Sequence, residues 1–370
     1  MGEHERVETV VVGGGQAGLT VGHELAARGR SFVILDQHER VGDAWRLRWD
    51  SLLLFTPARI DGLPGLRFPG RGDAFITKDQ MADYLEAYAA RFHLPVRTGT
   101  RVDHVRRQGE RFTVSAGDRT FDADNVVVAM SNHQVPWVPP FAGELDPHIV
   151  QIHTKEYRNP SQLQEGPVLV VGLGNSGADI GLEVARSHPT IVAGKEFGVV
   201  PFRIEPFFAR QILVRIVRFV GHHLLTVATP LGRRVRPKLL SGAAPLVRVK
   251  PKDLTAAGVE RVPRVIGVRD GRPVVEGDRV LDVTNVLWCT GFRPGFSWID
   301  LPVFGEGEAE PLHERGIVLS QPGLYFVGLQ FQYAATSDVV TGVPRDARRV
   351  VRHLVARRGA APAADPSAAA

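Results

Sequence analysis

The chain has 370 residues, 44% of them hydrophobic, with a formal net charge of +5 and one cysteine. This length predicts two domains, the lone Cys289 excludes both a disulfide framework and a Cys-x-x-Cys redox pair, and no apolar run reaches the ~18 residues of a spanning helix. The basic balance fits anionic cofactors or a membrane surface, whereas dispersed arginines and the lack of any nucleic-acid module speak against nucleic acid.

The opening residues 1–8 are polar and carry no signal peptide, so a cytoplasmic location is expected. A strand at 10–12 then enters Gly13-Gly14-Gly15-Gln16-Ala17-Gly18 and a helix, and the next strand, Phe32–Leu35, is closed by Asp36 and Gln37. In such a fingerprint the first glycine turns the chain, the second admits a pyrophosphate to the backbone, and the third packs helix against strand. The helix start offers free N–H groups and about half a positive charge to the phosphates. Asp36 lies 18 residues after Gly18, near the ~20 expected of a carboxylate that bonds ribose hydroxyls. Such an acid repels a 2′-phosphate, which points to FAD or NAD at this site.

A loop with Gly42, Trp45, Trp49 and Pro57 leads to an amphipathic helix over 78–92. Alternating segments at 100–105 and 111–115 predict a hairpin, and the apolar run 125–129 predicts a buried parallel strand. Pro136, Pro139 and Pro140 mark a departure from this first unit. The second fingerprint, Gly172-Leu173-Gly174-Asn175-Ser176-Gly177, follows the strand Val168–Val171 and precedes a helix over 178–187 and a strand at Thr190–Ala193. No acid closes this copy. Lys195 and Arg203 follow instead, and cations there suit a 2′-phosphate. Asn175 and Ser176 are either phosphate ligands or ordinary helix-start residues.

Residues 207–229 are strongly apolar, with Arg210, Arg215, Arg218 and His222 near helical spacing. The segment is either a lid that walls a substrate pocket with Phe207, Phe208, Ile212 and Phe219, or a basic amphipathic helix that touches a membrane peripherally. The second unit closes near 286–289, and a strand at 324–328 and a helix over 346–357 return to the first sheet. The fold class is therefore α/β, with two Rossmann-like dinucleotide-binding domains, the second inserted in the first. Residues 1–150 and 289–357 form the first domain, 151–288 the second, and 358–370 a disordered tail rich in Ala and Pro. Two nucleotides in one chain mean, most simply, a flavin and the nicotinamide that reduces it.

These motifs, in this order over nearly the whole chain, resemble class B flavin-containing monooxygenases, a family related to plant YUCCA-type enzymes and to Baeyer–Villiger monooxygenases. Gly42-Asp43-Ala44-Trp45 is similar to the family's Gly-x-x-Trp segment. Phe141-Ala142-Gly143 followed by His153-Thr154-Lys155-Glu156-Tyr157 resembles its FxG…HxxxY signature, and Cys289-Thr290-Gly291-Phe292 its returning ATG turn. The resemblance implies FAD at the first fingerprint and NADPH at the second, with O₂ and a small organic substrate as partners. It implies that reduced flavin forms a C4a-(hydro)peroxide that oxygenates a soft nucleophile or a ketone. It also implies that His153 and Tyr157 link the domains near NADP⁺, and that Gln332 and Asp338 approach the flavin's pyrimidine end. Trp45 and Trp49 either wall the flavin ring or fill core. No metal cluster and no catalytic triad are required, so no catalytic acid or base is nominated beyond His153 and Tyr157.

Three departures stand out. His153 lies further from Gly143 than the Baeyer–Villiger pattern allows, and the first ATG-like turn reads Ala129-Met130-Ser131. Phe55 stands where the family's TNxPK segment carries its Asn, which removes a polar contact near the flavin. The alternative reading is an NAD(P)H-dependent flavoprotein reductase that passes electrons to a quinone or protein acceptor. A binding protein without turnover is the non-enzymatic one.

Overall fold

The structure is a computed structural model and describes residues 3–195, 198–242, 244–306 and 310–359. Up to residue 128 the elements are β1 (Glu3–Val12), α1 (Gln16–Ala26), β2 (Phe32–Leu35), α2 (Asp43–Arg46), β3 (Leu53–Pro57), β4 (Phe75–Thr77), α3 (Lys78–Arg91), β5 (Val96–Arg97), β6 (His104–Gln108), β7 (Arg111–Ala116) and β8 (Arg119–Val128). The middle of the chain gives β9 (Val135–Pro136), β10 (Val150–His153), β11 (Val168–Val171), α4 (Asn175–Val184), β12 (Thr190–Ala193), α5 (Val214–Phe219), α6 (Pro230–Leu240) and α7 (Pro251–Ala256). Then follow β13 (Glu260–Val262), β14 (Val265–Arg269), β15 (Arg272–Val275), β16 (Asn285–Trp288), β17 (Phe292–Arg293), β18 (Leu324–Phe326) and α8 (Val343–Gly359).

The first sheet runs β5-β2-β1-β8-β7-β6, and β18 joins it beside β8. The β8 strand is shared lengthwise: its early residues pair antiparallel with β7, while Val126 to Val128 pair parallel with β18. Side chains alternate across this sheet. Val11, Ile34 and Val127 face the layer of α1, α3 and α8, whereas Val10, Val12, Val126 and Val128 face the β6–β7 hairpin with Phe296 and Ile299. Both faces are covered, which is why 126–128 reads as an unbroken apolar run. Burying a side chain such as Leu19 or Leu25 of α1 contributes about 1.5–3 kcal/mol each, and both are fully buried.

The second sheet, β10-β16-β11-β12-β13, is parallel throughout. It is sandwiched in the same way, with Val168, Val170 and Leu287 on one face and Leu169, Val286 and Trp288 on the other. The chain leaves the first sheet through β9 and returns through β17, and these two strands pair antiparallel. The molecule is thus two Rossmann-like units, one inserted in the other and joined by a two-stranded ribbon.

Several local expectations shift. The polar start of β1 is strand from Glu3 because it pairs with Arg119 to Ala123 of β8 beyond the apolar core. The hairpin begins at His104 rather than at 100, since the Gly99 and Thr100 amides are taken by the His38 and Asp36 carbonyls. The helix expected over 78–92 is α3, started by a capping box in which Thr77 and Gln80 exchange side-chain and backbone hydrogen bonds. The tail expected at 358–370 lies, from residue 360 on, outside the described residues.

Candidate functional site

The first cradle is built by glycines doing three different jobs. Gly13 has φ of +105°, and its amide donates to the Leu35 carbonyl at 2.8 Å, which turns the chain between β1 and α1. A Cβ on Gly18 would lie 1.8 Å from the Gly13 carbonyl oxygen, so only glycine lets α1 come this close. A Cβ on Gly15 would meet nothing within 4 Å. Gly15 therefore opens onto free space at the start of α1, where unsatisfied amides await an anion.

Asp36 closes β2 beneath this turn. One carboxylate oxygen accepts the Gly14 amide at 2.5 Å, and the other accepts the His38 amide at 2.8 Å and lies 2.8 Å from its Nδ1. Burial raises the carboxyl's pKa, but the hydrogen bonds from His38 and Gly14 outweigh it and hold the group below its ordinary value. The anion is thereby fixed in place. Gln37 beside it is exposed, and Ala17 is buried against Gly328. The Trp45 indole N–H donates to the Gln16 side chain at 3.3 Å, which places this ring at the cradle's rim. Trp49 does something else. It is buried among Tyr157, Val168 and Leu173 in the second unit's core.

The second cradle repeats the geometry. Gly172 has φ of +110°, a Cβ on Gly177 would lie 1.8 Å from the Gly172 carbonyl oxygen, and Gly174 again opens onto free space. The Asn175 side chain accepts the Val247 amide at 2.8 Å and donates to the Pro245 carbonyl at 3.1 Å. Its amide thus ties the 245–247 loop to the helix start, while Ser176 is half-buried beside it. Lys195 is exposed just past β12, whereas Arg203 is held by the Asp253 carboxylate. Buried Lys250 donates to the carbonyls of Val200 and Val247 at 2.9 and 2.6 Å, pinning the loop beneath these cations.

Between the cradles, the β9–β17 ribbon collects several functional side chains. His153 spends both ring nitrogens on backbone: Nε2 donates to the Gly291 carbonyl at 3.0 Å, and Nδ1 accepts the Lys155 amide at 3.1 Å. Burial lowers its pKa, so the neutral ring is favoured. Its edge packs on Phe292 of β17, as do His133 and the guanidinium of Arg48. His133 Nε2 lies 4.0 Å from an Asp338 carboxylate oxygen. Burial pushes Asp338 up to about 6, and burial together with the Arg48 charge lowers His133. Gln332 is buried, with its side-chain oxygen accepting the Leu329 amide and its side-chain amide nitrogen unpartnered among the described residues.

Tyr157 is fully buried, and its hydroxyl donates to Glu183 of α4 at 2.9 Å. This ties the linker to the second cradle's helix. Tyr157→Phe should lower stability by about 1–3 kcal/mol, because the carboxylate loses a donor. A urea titration checks it: a lower midpoint at unchanged slope is the expected result.

Sequence reasoning missed His133 and Arg48. His133 and Asn132 lie just past the carboxyl end of β8, where open parallel sheets present ligand-binding residues, and that position was a usable signal. Arg48 had none, since only folding brings it to Phe292. Phe55, the residue in place of the expected Asn, is 43% exposed on β3.

Two open glycine cradles, an acid under the first, and a shared junction define a nucleotide-dependent flavoprotein oxidoreductase. A family model described as pyridine nucleotide-disulphide oxidoreductase matches residues 10–196. The chain is 36% identical to an uncharacterized oxidoreductase CzcO-like of Geobacillus kaustophilus, over 94% of this chain and 98% of that one. It is 31% identical to the indole-3-pyruvate monooxygenase YUCCA1 of Oryza sativa, over 80% of each. The flavin-containing monooxygenase of Stenotrophomonas maltophilia superposes with a TM-score of 0.76 at 28% identity, covering 96% of this chain and 99% of that one. The chain belongs to the class B flavin monooxygenase family, and it is an oxidoreductase that uses FAD and NADPH. The residues fit both groups: each cradle keeps open the space a Cβ at Gly15 or Gly174 would take.

Proposed function

We propose that the protein is an FAD- and NADPH-dependent monooxygenase that transfers one oxygen atom of O₂ to a small organic substrate, a soft nucleophile or a ketone. The observation that carries this reading is the junction: His133, Asp338 and His153 gather where the two nucleotide units meet. In this reading residues 1–150 and 289–357 hold FAD and 151–288 hold NADPH. Gly13, Gly15, Gln16, Ala17, Gly18, Asp36 and Gln37 serve the flavin dinucleotide, with Trp45, Gln332 and Asp338 around its ring. Gly172, Gly174, Asn175, Ser176, Gly177, Lys195 and Arg203 serve NADPH, Lys195 taking the 2′-phosphate.

When bound, FAD supplies the two-electron transfer from NADPH and the activation of O₂. The chain supplies orientation, exclusion of water and proton control. Asp36 orients the ribose, and His153 fixes the β17 turn by holding Gly291. His133 Nε2 faces the Asp338 carboxylate across 4.0 Å at the junction, and burial, which pushes Asp338 up to about 6, lets that carboxyl hold a proton just below neutral pH. The expected setting is cytoplasmic, with a peripheral membrane contact through 207–229.

The test is isotope transfer. Thioethers, amines, ketones and indole-type acids are incubated with enzyme, FAD, NADPH and ¹⁸O₂. A product carrying one ¹⁸O per NADPH consumed supports the reading. The reductase alternative draws on Phe55, and rapid NADPH-driven reduction of a quinone without any labelled product would favour it.

A further inference from the structure

Residues 206–242 contain seven Lys or Arg, two His and no Asp or Glu. Their central part, 207–224, is helical from end to end, α5 being flanked by wider π-helical turns at 209–213 and 220–224. This helix is buried on a narrow strip only, at Ala209, Val214 and Gly221. The strip is tied down firmly. Arg210 donates to the Asp73 carbonyl, His222 Nδ1 lies 3.1 Å from the Thr336 hydroxyl, and Val227 donates to the Tyr333 carbonyl.

The opposite side faces solvent and is apolar. Phe208, Ile212, Ile216 and Phe219 follow one another at spacings of four, four and three, which places them on one face. Phe207 and Phe208 are 68% and 59% exposed, and Ile216 and Phe219 are 52% and 56%. A contiguous patch of this kind on a chain surface marks an interaction site. It is edged by cations: Asp73 pairs with Arg210 and Glu310 with Arg236, while Arg215, Arg218, Arg234 and Lys238 have no acidic partner among the described residues. A groove of about 580 Å³ runs between Arg59 and Ile60 on one side and Arg215, Ile216, Arg218 and Phe219 on the other. Its walls alternate guanidinium and hydrocarbon, the chemistry of a lipid headgroup and its acyl root. No helix among the described residues is long and apolar enough to cross a membrane.

We propose that the 207–224 helix lies flat in the surface of an anionic phospholipid bilayer, with Phe207, Phe208, Ile212, Ile216 and Phe219 in the acyl boundary and Arg215 and Arg218 on the phosphates. Charge decides the occupant. A second copy of this chain would bring the same acid-free basic surface, whereas an anionic bilayer complements it. Through His222 the helix is fastened to Thr336, two residues from Asp338, so the element that meets the bilayer with its outer face borders the junction with its inner one.

The test is co-sedimentation of the FAD-loaded full chain with vesicles, either pure phosphatidylcholine or containing phosphatidylglycerol. Binding is expected to the anionic vesicles alone and to weaken as salt is raised. The double variant Arg215→Glu, Arg218→Glu should bind about twentyfold more weakly or worse, since each basic side chain near the surface contributes roughly fivefold. Ile216→Asp with Phe219→Asp should abolish binding, and unchanged FAD content and circular dichroism would show that both variants fold. Equal binding to neutral vesicles, no sedimentation at all, or a dimer by light scattering that these same variants dissociate would each overturn the proposal.

Discussion

Gly15→Ala will leave the protein folded and strip it of flavin, whereas Gly18→Ala will damage the fold itself. The two glycines lie three residues apart and differ in what surrounds them. A methyl at Gly18 collides with the Gly13 carbonyl at 1.8 Å, and backbone cannot step aside without breaking the β1–α1 turn. A methyl at Gly15 meets no protein atom within 4 Å, so it penalises only a ligand that must touch the backbone there. Loss of FAD affinity by at least ~10–100-fold is expected, about 1.4 kcal/mol for each tenfold. The same reasoning at Gly174 predicts a raised KM for NADPH, again at least ~10-fold, with FAD content unchanged. Flavin fluorescence after gel filtration and steady-state kinetics check both. A Gly174→Ala variant that loses FAD instead would reverse the assignment of the two cradles.

The second large effect concerns Asp61. It is 1% exposed, with one carboxyl oxygen accepting the Thr56 hydroxyl at 2.7 Å and the other buried without a partner among the described residues. Burial pushes it up to about 7, and the Thr56 hydrogen bond opposes this only in part. The unfolded chain loses this proton near pH 4, but the folded protein keeps it until about pH 7. Across that window the native state binds more protons, so stability falls as pH rises and then levels off. The change is on the order of 4 kcal/mol, at ~1.4 kcal/mol per pH unit. Asp61→Asn cannot ionise. Urea midpoints measured from pH 4 to 8 should show the variant gaining on the parent up to about pH 7 and running parallel to it above. Parallel profiles throughout would mean that Asp61 is ionised in the native state.

Both cradles were legible in the sequence because a glycine fingerprint acts through local geometry: the turn, the close helix and the open amide all lie within six residues. The helix at 78–92 was legible from its apolar stripe, and the Thr77 and Gln80 capping box that starts it is a local feature of the same kind. Elements decided by distant pairing were not. The first seven residues of β1 are strand because β8 lies beside them, and β10 is strand because β16 does. The junction was half legible. His153 and Asp338 stood out through motif position, His133 offered only its place past the end of β8, and Arg48 acquires a role only when folding brings it to Phe292 of β17. Burial pushes the pKa of the Cys289 thiol up, which disfavours its reactive thiolate form. With one cysteine in the chain, the disulphide chemistry in the matching family model's description has no cysteine pair here.

Whether oxygen is activated or merely reduced is the central question. The most direct measurement is stopped-flow absorbance of NADPH-reduced, FAD-loaded protein mixed with oxygenated buffer. A near-UV-absorbing species that persists before oxidised flavin returns, with little hydrogen peroxide released, is the predicted result. Immediate return to oxidised flavin with stoichiometric hydrogen peroxide, unchanged by bound NADP⁺ or by any substrate in the panel, would contradict monooxygenation and leave a reductase.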